Sequence, residues 1–116
     1  MKVYRKIALI LAILTGIFIF YISSFPSFNI PAKSMNIIPL IYHFGVFFLL
    51  SFSVCLAIGN SPIFVFVFSS VYAGLDELHQ YLVPNRVCSL SDFGVDCSGI
   101  IFGVCFALFL ILVLKD

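Results

Sequence analysis

The sequence predicts an all-α integral membrane fold, a bundle of four transmembrane helices. Composition is the first reason: 63% of the 116 residues are hydrophobic and only 9% are charged, against about 25% charged in ordinary globular domains. The second is the presence of apolar runs near the roughly 20 residues that a spanning helix needs, separated by proline and glycine breakers. The third is chemical. In hydrocarbon a segment must satisfy its own backbone donors and acceptors, so runs of this length form helices and not open strands.

The first span is expected at about 7–25 and stops at Phe25-Pro26-Ser27. Lys2, Arg5 and Lys6 before it resemble the basic start of a signal peptide. The apolar run exceeds the usual 7–15 residues and no small-x-small site follows, so it is retained as a span. The second is expected at about 37–58, before Gly59-Asn60-Ser61-Pro62, and the third at about 63–83, before Pro84-Asn85. The fourth is expected at about 93–114. Connections are short, so neighbouring helices pack antiparallel in one membrane domain covering 1–116. Lys2, Arg5, Lys6 and Lys115 fall on one side, against Lys33 and Arg86 on the other. The positive-inside rule then places both termini in the cytoplasm of a multi-pass cell-membrane protein.

Several function classes are excluded. A net charge of +1 offers no electrostatic footprint for nucleic acid. Cys55, Cys88, Cys97 and Cys105 show no CxxC pair, which argues against a zinc ribbon or disulfide framework. Cys55 and Cys105 read as buried thiols acting as small hydrophobes, and Cys88 as an outer-loop thiol not bonded to Cys97. Tyr21, Tyr42, Tyr72 and Tyr81 are expected near the membrane interfaces.

Against this background, four of the five acidic residues and one of the two histidines fall between Asp76 and Asp96. A charge at the bilayer centre costs roughly 3 kcal/mol on insertion scales, so the cluster marks a functional region. On a helical wheel Ser69, Tyr72, Asp76, His79 and Gln80 share an arc of about 100°, with Glu77 beside it. Asp92, Asp96, Gly99 and Gly103 share one face of the fourth span, the last two forming a GxxxG pair for close helix approach. Asp76 and His79 lie roughly 6–11 Å below the Val83 end, and His43 enters its own span at the same end. His43, Asp76, Glu77, His79, Gln80, Arg86, Asp92 and Asp96 are thus expected to form an outer-leaflet pocket.

The pattern Tyr72-x-Gly74-x-Asp76-Glu77-x-His79-Gln80-x-x-x-Pro84-x-Arg86-x-x-Ser89-x-x-Asp92-x-x-x-Asp96-x-x-Gly99-x-x-x-Gly103 resembles the VanZ-like family, small helical membrane proteins named for a teicoplanin-resistance determinant. His43 with Phe47 is similar to the family's earlier histidine-plus-aromatic segment. Many relatives carry Asp-Lys just before that histidine, where this chain has Pro39-Leu40. The resemblance implies a resistance-type role in the cell envelope, without naming a reaction.

The leading expectation is recognition or modification of an envelope lipid or lipid-linked glycan. Arg86 is the candidate clamp for a phosphate or carboxylate, and Asp76, Glu77 and His79 are the candidate acid and base groups. His43, Gln80, Asp92 and Asp96 complete the binding set. No cofactor is expected. A divalent metal on His43 and His79 with Asp76, Asp92 or Asp96 is the weaker variant, because the spacing matches no diagnostic motif. The alternatives are a purely structural cluster and a proton- or ion-coupled transporter, the latter favoured if the chain forms a homo-oligomer.

Overall fold

The computed structural model describes residues 2–25, 37–59, 61–83 and 90–114. Helix α1 spans Val3–Ser23, α2 Ile37–Ile58, α3 Pro62–Leu82 and α4 Leu90–Leu114. All regular structure among the described residues is helical. Two helices begin earlier than the apolar runs predict. α1 takes Arg5 and Lys6 into its first turns, and α4 takes Asp92 into its own. An acid there is favoured by the positive end of the helix dipole.

Helices α1, α2 and α4 are long and apolar enough to cross a membrane. α3 has a similar length of 21 residues, about 31 Å at the α-helical rise, but it carries the polar stripe. Burial along α3 is inverted relative to a soluble protein. Its interior face is Val65, Ser69, Ala73, Asp76, Glu77 and Gln80, while Phe64, Val67, Val71, Leu75 and Leu78 face outward. Ionisable residues of membrane helices face the bundle interior in this way.

The closest pairing is between α2 and α4, and glycine makes it possible. A Cβ on Gly99 would lie 2.5 Å from the Phe44 carbonyl oxygen, and one on Gly103 would lie 2.5 Å from that of Phe48 and collide with the Ser51 hydroxyl. The GxxxG surface is therefore pressed against the α2 backbone. Around this seam Phe47, Leu50, Ile100, Val104 and Ala107 form the core, joined by Ile19 from α1 and Val65 and Ala73 from α3.

Arg5 and Tyr72 hold the first and middle turns of α1 through polar contacts. Arg5 donates from Nε to the Ala57 carbonyl at 3.0 Å and from Nη2 to the Ile58 carbonyl at 2.6 Å. These are terminal acceptors of α2 that have no partner inside the helix, and a cation is favoured at that end. Gly59 closes the same terminus at φ +99°, its N–H donating to the Cys55 carbonyl at 2.9 Å. Higher up, the Tyr72 hydroxyl donates to the Gly16 carbonyl. Tyr72 is thus a mid-helix pin between α3 and α1 and not an interfacial aromatic.

The cysteine expectation holds for Cys55, which is buried. Cys105 instead faces outward, on the side of α4 turned away from the core. Cys55, Cys97 and Cys105 are all free thiols. Cys88 lies outside the described residues.

Candidate functional site

The up-and-down course of the chain brings the end of α1, the start of α2, the end of α3 and the start of α4 to one end of the bundle. Each of these segments carries polar side chains. Ser23 and Ser24 close α1, and His43 is in the second turn of α2. Asp76, Glu77, His79 and Gln80 occupy the last two turns of α3, and Asp92 and Asp96 the first two of α4. Arg86 lies outside the described residues, as does Lys33. The cations Lys2, Arg5 and Lys6 sit at the opposite end.

The polar stripe of α3 divides between two interfaces. Asp76 turns toward α1, where it accepts hydrogen bonds from the Ser23 hydroxyl and, at 2.9 Å, from Gln80 Nε2. Gln80 Nε2 is also 3.5 Å from the Ser23 oxygen. All three residues are buried. Glu77, about 100° further round the helix, turns toward α2 and α4. There His43 Nδ1 and Asp96 Oδ1 are 2.9 Å apart, and one ligand atom from each of His43, Glu77 and Asp96 falls within 4.8 Å of the other two. His43 and Glu77 are each 5% exposed and Asp96 is 0%. Among the described residues the second Asp96 oxygen, Oδ2, has no hydrogen-bond partner.

His79 stands apart from this second cluster. Its ring stacks on Phe20 with centroids 4.6 Å apart and planes at 19°, and its Nε2 lies 3.0 Å from the Ser24 hydroxyl. That hydroxyl also donates to the Phe20 carbonyl at 2.8 Å. A hydroxyl–imidazole contact is the raw material of nucleophilic catalysis, but here the hydroxyl proton is committed to the backbone. Asp92 is half-buried one turn before Asp96.

Sequence reasoning missed Ser23, Ser24 and Phe20. The Ser23-Ser24 pair at the end of an otherwise apolar run was the available signal.

An apolar groove adjoins the polar end. It has a volume of about 570 Å³ and is lined by α1, α2 and α3, including Ala12, Gly16, Phe20, Leu50, Phe68 and Tyr72. It runs from Phe20, beneath His79, toward Ile58 at the Arg5 end.

The VanZ/LLP1 family model matches residues 3–113 of the chain. The chain belongs to the VanZ/LLP1 family. The match takes in all four helices and every polar residue of the site, so the cluster is part of the VanZ-type domain itself. Comparison with curated proteins and with solved structures gives no match.

Proposed function

We propose that this VanZ-type protein crosses the cell membrane with all four helices, termini in the cytoplasm, and recognises an envelope lipid or lipid-linked glycan at an outer-leaflet site. The observation that carries this reading is Phe20. It lines the apolar groove and stacks on His79 at the polar end, so hydrocarbon-binding and polar surfaces are continuous. An acyl or prenyl chain occupies the groove, and its headgroup reaches the layer of Ser24, Asp76, His79 and Gln80. Carboxylate and amide oxygens are acceptors suited to sugar hydroxyls, and Arg86 supplies the planar fork for a phosphate. Asp76, Glu77 and His79 are the groups able to move a proton if the bound molecule is modified. The basic cluster Lys2, Arg5 and Lys6 at the far end supports the orientation, and the inverted burial of α3 supports its place as a span.

A structural role has its own observation: the Ser23–Asp76–Gln80 set ties α1 to α3, and His43–Asp96 ties α2 to α4. Coupled transport is less well supported. Beyond the cluster the buried polar side chains among the described residues are the hydroxyls of Thr15, Ser51, Ser53 and Ser69, with no further carboxylate or imidazole to relay a proton. The deciding experiment is mass spectrometry of lipids retained by the gently purified protein. Recognition predicts an envelope lipid that is lost in His79→Ala and Arg86→Lys proteins of unchanged thermal stability. Retention by both variants, or loss only in proportion to unfolding, favours the structural role.

A further inference from the structure

We propose that His43, Glu77 and Asp96 form a binding site for a divalent transition ion such as Zn²⁺ or Mn²⁺. Three helices converge to present one nitrogen and two carboxylate ligands, with ligand atoms mutually within 4.8 Å. Ligands bonded at about 2.1 Å stand roughly 3–4 Å apart around a shared ion, so the widest separation has to close by about 1–2 Å, shared between two side chains. The site is shut off from solvent, its three residues being 5%, 5% and 0% exposed. An independent feature marks the same place. Asp96 gives Oδ1 to His43, while Oδ2, on a fully buried carboxyl within the cluster, has no hydrogen-bond partner among the described residues. A buried acceptor in this condition is costly unless a donor or a cation fills its place.

The donor chemistry selects the ion. Imidazole suits zinc and the later transition ions, and carboxylates extend the range to manganese. Three protein ligands leave a coordination position open, as in catalytic zinc sites. His79, which the sequence pairs with His43 as a ligand, is engaged instead with Phe20 and Ser24. Glu77 takes its place. The ion's role at a headgroup rests on the proposed lipid recognition, since an open coordination position suits a phosphate oxygen. Binding of the ion does not rest on it.

The test uses the full chain in detergent, stripped with EDTA and titrated with Mn²⁺ under electron paramagnetic resonance. The expected result is saturable binding of a single equivalent at submillimolar concentration, with pulsed spectra showing coupling to an imidazole nitrogen. Glu77→Gln, Asp96→Asn and His43→Gln each weaken it by at least about tenfold, and Ser98→Ala, on the exposed side of α4, leaves it unchanged. The nitrogen coupling is read on the wild-type protein, so a variant that fails to fold does not blunt the test. Absence of saturable binding, binding without nitrogen coupling, or binding indifferent to all three substitutions overturns the site. Lipid retention measured on the same stripped protein separates the two proposals: metal bound without lipid overturns recognition alone, and lipid retained without metal overturns the ion site alone.

Discussion

His43 on α2 and Asp96 on α4 meet at 2.9 Å, Nδ1 to Oδ1, with both residues buried. The contact lies beside the seam where Gly99 and Gly103 press α4 onto the α2 backbone. A polar pair and a close backbone approach therefore reinforce the same interface.

Removing either partner strands the other in a low-dielectric interior. Interhelical hydrogen bonds in membranes average about 0.6 kcal/mol, but bonds involving ionisable groups reach about 1.5–3 kcal/mol. A double-mutant cycle on His43→Gln and Asp96→Asn, followed by thermal unfolding in detergent, is expected to give a coupling of about 1–2 kcal/mol. A coupling near zero overturns the pair as a stabilising contact.

The glycine seam makes a sharper prediction. Gly103→Val places side-chain carbon against the Phe48 carbonyl and the Ser51 hydroxyl, an overpacking expected to cost about 1–3 kcal/mol. Gly45→Ala meets nothing within 4 Å and is expected to be neutral, or stabilising by up to about 1 kcal/mol through helix propensity. Equal unfolding temperatures for the two variants contradict the packing.

At the opposite end, Gly59→Ala forces a Cβ into left-handed backbone at φ +99°, a loss of about 1–2 kcal/mol. It also crowds the Arg5 guanidinium, 3.1 Å from the Cβ position. Arg5→Ala removes two hydrogen bonds to the end of α2. Its unfolding temperature is expected to fall too, and the two losses to be less than additive, because one terminus is involved.

Filling the groove tests the hydrocarbon half of the site. Ala12→Phe projects into the space lined by Leu50 and Phe68, about three helical turns along α1 from Ser23 and Ser24. Retained lipid is expected to fall several-fold with Mn²⁺ binding intact. Unchanged retention removes the groove from the proposal.

Topology is checked through Cys88. A membrane-impermeant thiol reagent is expected to label it in intact cells, while Cys55, buried in the core, stays silent. Labelling only in inside-out vesicles reverses the orientation.

The helices were readable because apolar runs and Pro-Gly breakers are local signals. The 37–58 expectation coincides with α2, while α1 and α4 start three or four residues earlier than their apolar runs. That difference comes from Arg5 and Asp92, polar residues that a helix terminus accepts. Helical phase brought Asp76, His79 and Gln80 onto one stripe, but it could not assign partners. Asp76 and Glu77 are adjacent in the chain yet face different neighbours, Ser23 on α1 and the His43–Asp96 pair. Which helix stands on which side is decided by the Gly99–Gly103 seam and the Tyr72 pin, contacts between residues far apart in sequence. Arg5 at the end of α2 was invisible for the same reason.

The inverted face of α3 bears on how the protein is made. In the four-span reading, the helix least able to enter lipid by itself is the one bearing most of the site. Apart from the Gln80–Asp76 contact within α3, its acids meet their neighbours only once α1, α2 and α4 stand around them. Insertion of α3 is therefore expected to be a joint event, with α3 and α4 entering as a hairpin against a waiting α1–α2 pair. A chain whose site is not assembled would then leave its third segment outside the bilayer, exposed to proteases.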